Sequence, residues 1–142
     1  MTKCIKPDDI GWVSAYIMVQ DVDKAVDFYQ KAFGFTLREK APGDDGSTWH
    51  ASMLYQDNTI MFGKMGAWGS KTQPPVVSGV DSAMNLYVYV PDIDSFYHQA
   101  LENGAKSIIA PEDAFWGDRM ASLQDLDGYQ WVFATAAEDQ LS

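Results

Sequence analysis

FWGDRMASLQDLDGYQWVFAT, residues 115–135, is the stretch that decides the fold. Its middle is an acidic turn, Asp125-Leu126-Asp127-Gly128, and the turn runs straight into the apolar Trp131-Val132-Phe133. An earlier stretch, HASMLYQDNTIMFG at residues 50–63, is built in the same way around Asp57-Asn58. Strand-forming runs joined by short turns of this kind read as hairpins. Asp57 and Asp127 lie 70 positions apart, as do Gly34 and Gly104, while Asp21-Val22-Asp23 and Asp92-Ile93-Asp94 lie 71 apart. Three landmarks at nearly one offset mark an internal duplication.

Each copy can be read outward from its hairpin. Residues 13–20, VSAYIMVQ, form an apolar run with β-branched and aromatic content, which predicts a strand. Asp21 can cap the helix that follows. Val22, Ala25, Val26, Tyr29 and Phe33 recur at helical spacing, and Gly34 supplies the stop. FTLREK reads as a strand, APGDDGS as a loop, and TWHASMLY with NTIMFG as a hairpin. The second copy repeats this order. NLYVYV is a strand, and PDID opens a helix with Ile93, Phe96, Tyr97, Ala100 and Leu101 on one face. Asn103-Gly104 ends that helix, AKSIIA is a strand, and RMASLQ with YQWVFA closes the hairpin. The fold class is therefore α+β, two βαβββ modules spanning residues 11–64 and 85–136. They are joined by a linker at 65–84 rich in Gly, Pro and Ser. Together the modules make one domain.

Composition narrows the function classes. The 142 residues are 46% apolar and 13% aromatic, enough to bury a core. The net charge of −10 repels phosphate backbones, so nucleic acid is not an expected partner. The same acidity attracts cationic small molecules, or serves solubility alone. A single cysteine, Cys4, makes neither an internal disulfide nor a zinc cluster and reads as a bystander thiol. No window approaches the length of a membrane span and the first residues lack a signal core, so a cytoplasmic location is expected with no membrane partner.

Alternation along the strands assigns two faces to each sheet. Val13, Ala15, Ile17 and Val19 suit the helix side of the first sheet, leaving Ser14, Tyr16, Met18 and Gln20 on the other. In the second sheet Leu86, Val88, Val90, Trp131 and Phe133 suit the core. Asn85, Tyr87, Tyr89, Gln130 and Val132 face the other way. This second face combines large apolar walls with a few hydrogen-bonding groups, the composition of a pocket. A solvated or interface-covered sheet face has the same pattern.

The chain resembles the vicinal-oxygen-chelate superfamily of glyoxalase I, bleomycin-resistance proteins, fosfomycin-resistance enzymes and extradiol dioxygenases, most nearly its PhnB-like branch. Residues 15–35 (AYIMVQDVDKAVDFYQKAFGF), 49–63 and 87–135 carry the resemblance. It implies paired βαβββ modules with sheets curled around a cavity, and a homodimer. Metal-dependent members hold a divalent ion with His or Glu on the first and last strands of each module. By position these slots fall at Ser14, Asn85, Phe62 and Val132. Three of these cannot bind a metal, and Asn85 alone cannot hold one. No metal and no cofactor are therefore expected.

Several residues remain as candidates for a binding site. Trp116 could stack on a planar or cationic ligand, and Arg119 could orient a polar group or brace its loop through Asp118 or Asp125. His50 could exchange protons or simply be a hydrogen-bonded strand residue, whereas His98 is expected in solvent. Tyr16, Tyr87 and Tyr89 could wall a cavity or fill an interface. Trp68, among linker glycines, hints at a lid or subunit contact. Asp44-Asp45 reads as turn chemistry. No nucleophile and no phosphate-binding glycine loop stand out. The first reading is a metal-independent small-molecule-binding protein, acting by sequestration of a cationic or planar compound as in antibiotic resistance. Its ligand-binding residues are Tyr16, His50, Asn85, Tyr87, Trp116, Arg119 and Gln130. Two alternatives stand beside it, a metal-dependent lyase or isomerase of the glyoxalase I type and a self-association module.

Overall fold

A computed structural model describes residues 5–137, so Cys4 lies outside the described residues. The first half runs β1 (Ala15–Val19), α1 (Val22–Ala32), β2 (Thr36–Pro42), β3 (Thr48–Tyr55) and β4 (Asn58–Lys64). A 3-10 turn (Ala67–Gly69) and the short helix α2 (Pro75–Ser78) follow. The second half runs β5 (Leu86–Tyr89), α3 (Ile93–Glu102), β6 (Lys106–Asp113), β7 (Asp118–Gln124) and β8 (Gln130–Ala136). The two four-stranded sheets have the same topology, β1-β4-β3-β2 and β5-β8-β7-β6. In each the first strand lies parallel to the last, and the other pairs are antiparallel. Contacts divide the chain into two compact units. One takes the chain up to Gln30 with Gly34–Pro74, and the other takes Lys31–Phe33 with the chain from Pro75 onward.

The helices sit where the sequence places their signals. Asp21 accepts the Lys24 amide at 3.0 Å, and Asp92 accepts the amides of Asp94 and Ser95 at 3.1 and 3.3 Å. These bonds satisfy amides that the first helical turn leaves without partners. At the far ends Gly34 (φ 73°) and Gly104 (φ 102°) adopt the left-handed conformation that ends a helix. The stripe Val22, Ala25, Val26 and Tyr29 is buried, as are Ile93, Tyr97 and Ala100. Each stripe packs on one face of its own sheet. The Tyr29 ring lies 4.9 Å from Phe62 on β4, and Phe96 lies 4.4 Å from Phe133 on β8. Phe33 adds its ring to the second core, 4.7 Å from Phe133.

Some boundaries differ from the sequence reading. Val13, expected on the helix side, precedes β1 and is exposed. β2 continues into Ala41 and Pro42, and β6 continues to Asp113 through Pro111. Both are edge strands with register shifts against their neighbours, and an edge tolerates proline and irregular pairing. The glycine-rich connection is also more ordered than its composition suggests. Val76 of α2 donates its amide to the Asp127 carbonyl at 3.0 Å, and Pro75 is buried. Gly128 (φ 91°) makes this approach possible, because a Cβ there would meet the Val76 nitrogen at 2.9 Å.

The duplication carries one insertion. Ser52 pairs with Met61 in the first hairpin, and Ser122 pairs with Val132 in the second. The offset is thus 70 on β3/β7 and 71 on β4/β8, because the second turn is one residue longer. Phe62 corresponds to Phe133, and both face a helix. The residue matching Val132 on the helix-free face is therefore Met61, one position before Phe62.

Candidate functional site

On each unit the sheet face away from its helix collects the polar and aromatic candidates. In the second unit Tyr87 and Tyr89 project from β5 at alternate positions, both substantially exposed. Their hydroxyls donate to the same oxygen, Oδ2 of Asp118, at 2.7 and 2.9 Å. Trp116 adds its indole N–H, 3.2 Å from that oxygen and 3.0 Å from the Tyr87 hydroxyl. Asp118 itself is only 6% exposed. The result is one recessed carboxylate oxygen at the foot of three aromatic rings, with Phe115 packed edge-on to Trp116 at 4.9 Å.

The electrostatics follow from these bonds. The hydrogen bond from Tyr87, joined by those from Tyr89 and Trp116, holds the Asp118 carboxyl below the usual carboxylate range against the opposing effect of burial. Tyr87 is pushed up to about 12, first by burial and then by its bond to Asp118. Tyr89 is raised by its bond to the same carboxylate. At neutral pH the cluster is therefore one anion gripped by neutral phenols. It can receive a cation or a strong donor, flanked by ring faces suited to a flat or positively charged group.

The other candidates of this unit divide between places. Asn85 immediately precedes β5 and Gln130 opens β8, so both lie on the same face as Tyr87 but toward the opposite end of the sheet from Asp118. Gln130 pairs with Gln124, six residues along β7 from Asp118, which places them roughly 20 Å apart. Arg119 alternates to the helix side of β7. The expected braces to Asp118 and Asp125 do not form. Instead Arg119 grips Asp94 of α3 through Nε and Nη2 at 2.9 and 3.0 Å and reaches Asp113 at 3.2 Å. Asp118 is turned to the tyrosines, and the Asp125 carboxylate accepts the Asp127 and Tyr129 amides and the Trp131 indole. Arg119 lines a separate depression of about 340 Å³ with Asp92, Asp94, Asp113 and Thr135.

In the first unit Tyr16 of β1 stacks on His50 of β3, centroids 5.9 Å apart and 28° between planes. Burial raises the Tyr16 hydroxyl above its ordinary value. Gly63 makes room for this ring: a Cβ there would meet the Tyr16 hydroxyl at 2.8 Å and its ring at 2.9 Å. Ser52, fully buried two residues beyond His50, lies 3.4 Å from Nη1 of Arg38. Trp68 stands edge-on to Trp49 at 5.3 Å, in a left-handed backbone conformation (φ 53°). Asp45 does more than shape its turn. It accepts the Ser47 amide and hydroxyl and the Trp49 indole, and pairs with Lys64 at 3.3 Å.

Sequence reasoning missed Asp118 and Arg38 as members of these faces. Alternation from Met120 and Ser122 back to Asp118 on β7 was the available signal for the first. For Arg38 there was none, because β2 shifts register between Leu37 and Glu39. Among the described residues no three His, Cys, Asp or Glu side chains converge as a metal-ligand set, and no helix is long and apolar enough to cross a membrane.

Comparison with known proteins gives a consistent family signal. The family profile of the Glyoxalase/Bleomycin resistance protein/Dioxygenase superfamily matches residues 9–133. An uncharacterized protein of Mycobacterium tuberculosis is 32% identical over 121 residues, covering 84% of this chain and 71% of the relative. The crystal structure of TioX from Micromonospora sp. ML1 superimposes with a TM-score of 0.69 at 25% identity, covering 87% of this chain and 98% of TioX. FosX, a fosfomycin resistance protein of Listeria monocytogenes solved with Mn(II) and 1S,2S-dihydroxypropylphosphonic acid, superimposes at a TM-score of 0.68. It is 14% identical and shares the fold over 92% of this chain and 93% of its own.

Proposed function

Given that the chain belongs to the glyoxalase/bleomycin resistance protein/dioxygenase superfamily, we propose that it binds a cationic, planar small molecule on the aromatic face of its second unit and acts by sequestration. One observation carries the reading: a recessed, ionised carboxylate, Asp118, sits beneath the exposed rings of Tyr87, Tyr89 and Trp116. A flat cation gains twice from such a site, by ring contact and by charge. The acidity of the whole chain, −10, adds attraction at longer range.

The binding is metal-independent in this reading. FosX holds Mn(II); the slots that the family resemblance marks in this chain are Ser14, Phe62, Asn85 and Val132, and Met61 is the register equivalent of Val132. Hydroxyl, thioether, amide and alkyl groups do not make the set of imidazoles and carboxylates that a divalent transition ion requires. The residues present do not fit the ion, and no chemical step is assigned to it. A homodimer, with a second copy completing the site, and a cytoplasmic setting belong to the same proposal.

Fluorescence titration tests it, since five tryptophans report on the chain. Proflavine, a cationic acridine, should quench in a saturable way. A neutral anthracene alcohol and an anionic naphthalene sulfonate of similar size should not. Trp116→Leu should weaken proflavine binding by about tenfold, the scale of a partly desolvated cation–π contact. Equal, unsaturated quenching by all three compounds would remove the proposal.

A further inference from the structure

In the first unit the helix-free face carries a guanidinium, Arg38, rather than a carboxylate. The Arg38 side chain is 17% exposed and emerges from β2 beside the buried Ser52 hydroxyl. Its Nε and Nη2 donate to the two oxygens of Asp9 at 2.6 and 3.1 Å. This is the fork-on-carboxylate geometry by which arginine recognises a free carboxylate. Its Nη1 meets Glu39 at 2.8 Å and Ser52 at 3.4 Å. Asp9 belongs to no strand or helix. It comes from the segment before β1, where Lys6 bonds the Ile10 carbonyl at 2.8 Å and covers the Trp12 ring at 4.9 Å. The two partners are unequal. Arg38 is sunk in the sheet, whereas the Asp9 side chain is 56% exposed.

We propose that Arg38 is a binding site for a small aromatic carboxylate, and that Asp9 occupies the fork in its place as a displaceable internal ligand. An ion pair with one exposed partner stabilises little, so an external carboxylate with more to contact displaces it. That further contact is the Tyr16–His50 stack. His50 and Ser52 alternate onto the same face of β3, roughly 7 Å apart along the strand, so the His50 ring of the stack is the next side chain on that face to the serine that Arg38 touches. A benzoate-sized molecule spans that gap, with its carboxylate on the fork and its ring against the stack. This site shares no residue with the cation site of the second unit.

Titration of the full chain with sodium benzoate, followed by the Arg38 Nε–H resonance in nitrogen-15 NMR, tests the assignment. Benzoate should shift that resonance saturably. Asp9→Asn should tighten benzoate about fivefold, the range for loss of a competing exposed pair. Arg38→Lys keeps the charge, removes the fork and should abolish the response. Acetate should bind more weakly than benzoate, and Tyr16→Ala should remove that preference. Equal benzoate affinity in wild type and Asp9→Asn overturns the proposal, even if Arg38→Lys fails to fold. A response that Arg38→Lys leaves unchanged also overturns it. Proflavine binding bears on none of these outcomes.

Discussion

Tyr16 and Tyr87 stand 71 positions apart on the first strands of the two units, and their surroundings are opposite. Tyr16 lies over Gly63 and stacks on an imidazole, on the same face as a half-buried arginine. Tyr87 lies beside a second tyrosine and donates its hydroxyl to a buried carboxylate. On the other face of each sheet the central positions stay buried and apolar, with Met53 and Ile60 matched by Leu123 and Trp131. Phe62 and Phe133 are fully buried under a helix, and the strand partners beside them are buried alanines in both hairpins, Ala51 and Ala121. The helix-facing side is constrained by packing, where a change of one methylene is felt. The helix-free side is not needed to hold its own unit together, so its chemistry could diverge into two different polarities.

The largest test of this comparison is in the cores. Phe62→Ala and Phe133→Ala should each destabilise by about 3–5 kcal/mol in urea unfolding. Similar losses would confirm that the duplicated frames are equally demanding. A loss in one alone would break the equivalence. Next comes the position where the open faces differ by one carbon. Gly63→Ala forces a Cβ against the Tyr16 ring and should cost about 1–3 kcal/mol. The reverse change at the matching site, Ala134→Gly, should cost only about 0.5–1 kcal/mol.

Asp118→Asn should then weaken proflavine binding by about tenfold, as one charge is lost from the site. The pH dependence has a definite sign. Because the folded Asp118 titrates below its ordinary 3.8, its contribution to stability is present above pH 3.8 and disappears as pH falls through the depressed folded value. Tyr87 acts in the alkaline direction. Its folded value, about 12, lies above the ordinary 10, so its contribution is intact below pH 10 and is lost as pH rises toward 12. Absorbance titration at 295 nm (a tyrosinate band) should show a component near pH 12 that Tyr87→Phe removes. The helix caps compare the start of each copy. Asp21→Ala and Asp92→Ala should each cost about 1 kcal/mol by thermal unfolding, and unequal costs would show that the two helix starts are not alike.

The repeat, its helices and its hairpins were legible because they rest on local signals. The Asp caps, the glycine stops and the alternation around Phe62 and Phe133 each act within a few residues of the chain. The site was legible only by halves. Strand alternation put Tyr16, Tyr87 and Tyr89 on the helix-free face, and residue type singled out Trp116 as a stacking surface. Residue type also suggested that Arg119 orients a polar group or braces Asp118 or Asp125, whereas adjacent strand residues point to opposite faces, and Arg119 went to α3. Counting five residues on from each turn aspartate pairs Phe62 with Val132, whereas the longer second turn makes Met61 the equivalent of Val132.

From its own letters the chain determined a duplicated α+β frame, because capping, turn chemistry and hydrophobic period are short-range properties of sequence. It also determined the residue types at the slots the family resemblance marks, Ser14, Phe62, Asn85 and Val132. Which residues meet was decided only in the tertiary structure. Asp118 met three aromatic donors, Arg38 met Asp9 across 29 positions, and the linker met the Asp127 turn. Such pairings depend on register, bulges and the direction of each side chain, and these are fixed by the packing of whole sheets rather than by any neighbouring residue.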